Sequence, residues 1–508
     1  MLRRRVYPAA VFVWLSVFAV TSVRAQQVAE SGPGPVQDLS ALHQIAGDAL
    51  VHGRAYSTLE ALTDRFGARL TGSDNYNRAA QWAAEQFRSY GVDDVKLEPW
   101  TLAHTWRRIS AAAAITTPKV QGEQPKPLHI ASMGWSSSTP KAGVEGEVIQ
   151  LFDISPDGLA KVGAQVRGKI VFVDQAQLKP RPKTQWGEQL SDNLKPLGAL
   201  ALLEPSRLDN DVIGTGDPAW EATILGVPTA SLGHEDAETL KRWLKAGAAL
   251  RVRVDIQNEV GGAAQVPNIV AEVRGSGASQ EWVLLGAHFD SWDFATGAQD
   301  NGAGTAQVME AARVIAAMAR QGKRPARTIR FALFGGEEEG LLGSEAYAAQ
   351  HASELPRCAM MLNTDNGAGH PKGWSTEGRS DVADALKPYS DALLKQLGGG
   401  EIVKDIDFDT DHGFFMLRGV PVLNMYVDMS KYGQVHHLVG DTIDKVNDHN
   451  LADGAALLAV TGWAIADATL RLAPQLDQSA VKELLKQDDL GEYLQAQGLW
   501  KGADSAKQ

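Results

Sequence analysis

Three short apolar runs, Trp282–Ala287, Thr328–Phe334 and Cys358–Leu362, each stop at a cluster of histidine, aspartate or glutamate beside glycine. Short runs of this kind, separated by helix-like segments, are the pattern of buried parallel strands. In sheets built that way, ligands lie beyond the carboxyl ends of the strands. His288, Asp290, Asp300, Glu337, Glu338 and Asp365 are therefore expected on one rim. The predicted fold class is α/β, with a mostly parallel central sheet flanked by helices. Its edge carries the side chains that bind metals.

A chain of 508 residues exceeds one ordinary core, so a division into units is expected. Arg3, Arg4 and Arg5 precede the apolar run Val11–Val20, and Val23-Arg24-Ala25 offers a small-residue cleavage site. Residues 1–25 thus read as a signal peptide cut near Ala25, which predicts an exported protein. The run falls short of the roughly 20 residues a spanning helix needs, so no membrane partner is expected after cleavage. The formal net charge of −12 becomes more negative once the signal's four arginines are removed. Such a chain lacks the basic face that nucleic acid requires. The single cysteine, Cys358, excludes an internal disulfide, and its apolar setting predicts a buried thiol.

Residues 26–120 read as the N-terminal part of a catalytic unit. Asp38–Leu50 forms a first helix. Ser73 caps a second, with Tyr76, Ala80, Ala83 and Phe87 on one face and Gly91 as its stop, and Val95–Leu102 follows as a strand. Glycine and proline at Gln121–Pro127 mark a shift of composition. From there to Gly262 come short strands between glycine turns, Gly146–Leu151, Gly168–Asp174 and Ala199–Leu203, then a helix over Glu235–Ala246. Residues 121–262 are read as an inserted lid or spacer domain without a ligand cluster. The sheet resumes over residues 263–474, with helices at Gly302–Arg320 and Asn450–Arg471. Residues 475–508 form a weakly helical C-terminal extension.

The residue types suit one chemistry. Zinc takes imidazole and carboxylate ligands, and two ions about 3.5–4 Å apart need a carboxylate between them. The spacing His288-Phe289-Asp290 turns both side chains to one face of an extended segment, so Asp290 can orient the imidazole. Asp300 opens DNGAG at a helix start, where it serves equally as a cap. Glu337, Glu338 and Glu339 follow a buried strand, where their repulsion calls for a cation.

Taken together, GAHFDSWD, DNGAG, EEEGLLGS, NTDNGAG and KYGQVHHLVGDT resemble the M28 family of two-zinc metallopeptidases. Within it the stretch from Leu39 to Arg471 is most similar to the carboxypeptidase Q branch, RLTGSDNY and DTDHGFFMLRGVP included. The resemblance implies a zinc exopeptidase fold whose insert is a protease-associated-type domain. It implies two zinc ions per chain, with His288 on the first, Asp300 bridging, Glu338 a ligand of one ion and Asp365 a ligand of the other. The last histidine of the family stands four residues before the Asp of a D-T pair, which selects His437 over His436. Glu337 resembles the general base that serves a metal-activated water. Asp411, His412 and Tyr426 become candidates for the substrate pocket. The implied function is an exported exopeptidase acting on dipeptides or short peptides, and the branch implies a homodimer. A catalytically silent receptor of the same architecture and a single-zinc acyltransferase of the glutaminyl cyclase kind are the rival readings. The residues leave open which end of the peptide is recognised.

Overall fold

The computed structural model describes residues 39–118, 124–180, 190–210, 212–216, 221–392 and 394–500. The signal peptide and the leader up to residue 38 lie outside them, as do residues 119–123, where the compositional shift begins. Among the described residues, no helix is long and apolar enough to cross a membrane.

The strands run in chain order as β1 (Asp94–Leu102), β2 (Trp106–Thr117), β3 (Lys126–Leu128), β4 (Ile130–Ser132), β5 (Val144–Leu151) and β6 (Lys169–Val173). They continue as β7 (Ala201–Pro205), β8 (Thr229–Leu232), β9 (Arg251–Val260), β10 (Ala264–Val273) and β11 (Trp282–His288). The last are β12 (Thr328–Phe334), β13 (Cys358–Asn363), β14 (Pro371–Ser375), β15 (Glu401–Val403) and β16 (Val422–Val427). They form two mixed sheets, ordered β1-β10-β12-β11-β13-β16-β14-β15 and β3-β2-β9-β5-β6-β7-β8-β4.

The centre of the first sheet is parallel, β12-β11-β13-β16, as the apolar runs predict. Its flanks differ. β1 with β10, β10 with β12 and β14 with β16 pair antiparallel, while β14 and β15 at the far edge are parallel, so the sheet is mixed around its parallel centre. The edge strand β1 is mostly part-exposed, as an antiparallel edge with one face toward solvent allows, whereas β10 beside it is largely buried. β2, ahead of the compositional shift at 121–127, pairs with β9 in the second sheet. The closing helix spans Asp448–Asp467, capped by Asn447, and ends earlier than Arg471.

The core lies on the parallel strands. β11 is buried along its whole length, and so are nearly all residues of the helix Ala303–Arg320. The closing helix packs beside it, and Gly462 lets that helix press against β11. A Cβ there would stand 2.9 Å from a methyl of Leu285. Cys358 sits buried in β13, where desolvation pushes its thiol up to about 12, so it is held protonated.

The helix Asp74–Tyr90 shows how sequence reaches the site. The Ser73 hydroxyl accepts the Tyr76 N–H at 3.1 Å, and Gly91 closes the helix in the left-handed region at φ 79°. The cap fixes Tyr76, whose hydroxyl donates to the Pro267 carbonyl and whose ring packs edge-on against Phe289, next to His288. Ser73→Ala is expected to cost about 0.5–2 kcal/mol of stability, read from denaturant unfolding.

Candidate metal centre

Three strand ends build one side of the centre. His288 is the last residue of β11, Glu337 and Glu338 follow β12, and Asp365 follows β13. Asp300 reaches in from the turn before the helix Ala303–Arg320, and His437 from the loop after β16. These groups lie far apart along the chain, from position 288 to position 437, and the fold brings them to one point.

The distances sort them into two sets that share Asp300. His288 Nε2 stands 3.3 Å from Asp300 Oδ1 and 3.0 Å from Asp365 Oδ1. His437 Nε2 stands 3.4 Å from Asp300 Oδ2 and 2.9 Å from Glu338 Oε2. Each oxygen of Asp300 thus faces a different histidine. His436 comes within 3.7 Å of Asp300 Oδ2, and its ring stacks on Tyr432. His437 alone of the pair meets both Asp300 and Glu338.

The neighbouring glutamates point apart. Glu337 Oε2 lies 3.9 Å from His288 Nε2 and lines the cleft, whereas Glu338 is turned to His437. Asp290 lies beneath them, fully buried. It accepts the Thr71 hydroxyl at 3.0 Å and the backbone N–H groups of Glu337 and Glu338 at 3.4 and 3.3 Å. Its Oδ1 stands 3.6 Å from Nδ1 of His288, longer than a hydrogen bond yet close enough to orient the ring.

The electrostatics of this group are those of a cation site. Burial together with Asp300, Asp290 and Asp365 pushes the Glu338 carboxyl well above its usual range. Burial, Asp365, Glu338 and Asp411 do the same to Glu337. Although burial disfavours its charged form, His288 is raised well above the ordinary histidine value by Asp365 and Glu337. Burial lowers His437, so its imidazole is neutral at pH 7 with a lone pair to offer. Asp300 Oδ2 and both oxygens of Glu338 are buried without a hydrogen-bond donor. Unpaired buried carboxylates are costly, and a divalent cation accounts for them. Two groups able to hold one, His288–Asp300–Glu338 and His288–Glu337–Asp365, occur here, along with Asp300–His436–His437.

Two residues inside stretches quoted above take positioning roles that their sequence setting does not announce. Asp441 accepts the N–H groups of Gln299 and Asp300 at 2.7 and 3.1 Å, which fixes the Asp300 turn. Arg69, fully buried, donates to the carbonyls of Phe289, Thr296 and Gly297, each at 2.9 Å, and to Gly67. Asp441 reaches Asp300 across 141 positions of sequence and Arg69 reaches Phe289 across 220, beyond any local pattern.

A cleft of about 580 Å³ opens onto the centre. Glu337, Leu341, Asn366, Asp409, Thr410, Met429 and Tyr432 line it, joined by Met133 and Gly216 from the second sheet's connections. Asp411 and His412 are buried behind this wall rather than on it, and Tyr426 borders a separate, smaller cavity. His412 instead sits 3.6 Å from Glu377 and 3.5 Å from Asp407. Against the effect of burial, these acids raise it to about 9. It is an imidazolium that ties the 405–412 loop to the end of β14.

A mixed α/β sheet with histidines and carboxylates gathered beyond its parallel strands defines a candidate metal-binding centre. Comparison with known proteins sharpens this. Residues 268–461 match the model of peptidase family M28. The chain is 30% identical over 416 residues to human carboxypeptidase Q, covering 82% of this chain and 85% of that one. It is 27% identical over 323 residues to aminopeptidase YwaD of Bacillus subtilis, covering 61% of each. The crystal structure of a peptidase M28 precursor from Shewanella amazonensis superposes with a TM-score of 0.75 at 30% identity, covering 86% of this chain and 98% of that one. A zinc aminopeptidase from Bacillus subtilis shares the fold, with a TM-score of 0.64 at 20% identity, over 84% of this chain and 97% of that one. This chain belongs to peptidase family M28.

Proposed function

We propose that the chain is an exported zinc exopeptidase that hydrolyses dipeptides or short peptides at a two-zinc centre. The observation that carries this reading is Asp300, whose two oxygens face His288 at 3.3 Å and His437 at 3.4 Å, as a carboxylate shared by two ions must. His288, Asp300 and Asp365 would hold one zinc, and Asp300, Glu338 and His437 the other. The zinc aminopeptidase of Bacillus subtilis, which shares the fold, supports the choice of metal. When bound, zinc supplies Lewis acidity, which lowers a water's pKa to about 7 and polarises a carbonyl.

The chain's own residues do the rest. Glu337 lines the cleft with its carboxyl free of either histidine's immediate contact, so it can take a proton from the attacking water and give it to the leaving amine. Asp290 holds the Glu337–Glu338 turn by its two N–H groups, which keeps the base and the neighbouring ligand on opposite sides. Asp441 and Arg69 hold the Asp300 and Phe289 loops rigid from behind. The cleft's modest volume favours small peptides. In this reading the second sheet is a protease-associated-type domain that narrows access.

Free, N-blocked and C-blocked dipeptides offered to the purified chain test the function. Unblocked dipeptides are expected to be cleaved, a chelator to abolish cleavage and added zinc to restore it. Full turnover after exhaustive metal removal contradicts the reading. A chain that binds zinc and peptide without cleaving would be the silent receptor.

A further inference from the structure

The two halves of the centre are not supported alike. The hydrogen bonds that hold His288 and Asp365 in place run to the first sheet and the helix packed on it: Thr305 of the helix Ala303–Arg320 donates to the His288 carbonyl, and Thr364, beside Asp365, bonds Gly286 of β11 and Asn301 of the turn before that helix. His437 is held from the other side, and so is the residue that follows Glu338. Thr215 donates its N–H to the His437 carbonyl at 2.9 Å, Gly214 pairs with Leu438 as an antiparallel bridge, and Arg207 donates to the His436 carbonyl at 2.9 Å. Glu221 donates to the carbonyl of Glu339, next to Glu338, at 2.8 Å. All four of these residues belong to connections of the second sheet.

Side chains repeat the pattern. Trp292, buried in the loop after β11, meets the His437 ring edge-to-face at 6.0 Å between centroids. Behind it stands Trp135 at 6.3 Å, itself stacked on Trp106 of β2 at 5.9 Å. Gly134 forms the seat for Trp292: a Cβ there would lie 2.4 Å from the indole. Arg108 of β2 closes the junction, donating to Asp293 at 2.8 and 3.0 Å and to the Thr215 hydroxyl at 3.1 Å. His437 needs such a frame, because its backbone is in the left-handed region at φ 59°, where a β-carbon is strained unless its surroundings hold it.

We infer that the second sheet's module is a working part of one metal half-site: through Trp292 and through Arg207, Gly214 and Thr215 it positions His437, and it leaves the His288–Asp365 half untouched. The inference rests on the two-zinc reading above. Trp292 is a positioning residue, and Gly134 is the seat that sets its place. The inserted module is then more than a lid, and the two zinc affinities depend on it unequally.

The test is zinc titration of the metal-free full chain against a chromophoric chelator, which resolves the two affinities without using activity. Gly134→Ala and Trp292→Ala are expected to weaken one affinity by about 10–100-fold, as loss of support behind a metal ligand does, and to leave the other within about twofold. Trp292→Phe, which keeps an aromatic edge, is expected to recover most of the loss and serves if the alanine variant does not fold. Thermal melting of the metal-free variants separates general loosening from this effect. Equal weakening of both sites, or no change in either, overturns the inference while the two-zinc reading stands. A wild-type chain that takes up fewer than two zinc ions overturns the reading and the inference together.

Discussion

Replacing Glu337 by glutamine is expected to lower kcat by about 10²–10⁴, the usual worth of a positioned general base, with zinc content unchanged. The amide keeps the size of the side chain and its ability to hydrogen-bond, and it removes only the capacity to carry the proton. Glu337 is turned toward the cleft, and its nearest imidazole nitrogen is 3.9 Å away, so neither half-site loses a direct partner. The adjacent substitution separates the roles. Glu338 lies 2.9 Å from His437 with both oxygens unpaired, and Glu338→Ala is expected to lower zinc content first and turnover as a consequence. Elemental analysis and kinetics on one dipeptide compare the two. The reverse pattern, metal lost from Glu337→Gln and retained in Glu338→Ala, would exchange the assignments.

The second large effect belongs to Asp300. Asp300→Ala removes the carboxylate that both sets share, so both affinities should fall together, unlike the one-sided effect at Trp292. A Lewis acid is worth several kcal/mol to such a reaction, and each 1.4 kcal/mol is about tenfold, so kcat/KM should drop by about 10³ or more. Stability moves in a way that a simple packing defect does not reproduce. In the metal-free protein the surrounding histidines hold Asp300 in its charged form against the effect of burial, so its loss should lower the melting temperature. Added zinc, which stabilises the wild type by mass action, should no longer raise it. Differential scanning of both proteins with and without zinc reads this directly.

Much of the centre is legible in the sequence because strand ends announce themselves. β11, β12 and β13 are apolar runs that stop at ligand-type residues, and His288, Glu338 and Asp365 meet where those runs predict. Asp300 is ambiguous by itself, a cap as much as a ligand, and the two histidines that face its oxygens come from other parts of the chain. His437 is told from His436 by resemblance of spacing, not by residue type. The antiparallel flanks are hard to read because β1 and β10 alternate only weakly, and β2 is a run of small residues, ISAAAA, that has no strong preference. Arg69, Asp441 and Trp292 act through contacts far apart in sequence. A buried arginine bonded to carbonyl oxygens leaves no local pattern to read. The same holds for the second sheet, which has no ligand cluster of its own among the described residues and yet frames the loop that bears His437.

The central claim is a pair of zinc ions bridged by Asp300, and counting the metal tests it most directly. Metal-free chain titrated with zinc and followed by dipeptide hydrolysis should take up two equivalents, with activity complete when the second is bound. Activity that saturates at one equivalent, or a chain that binds none and still turns over, contradicts it.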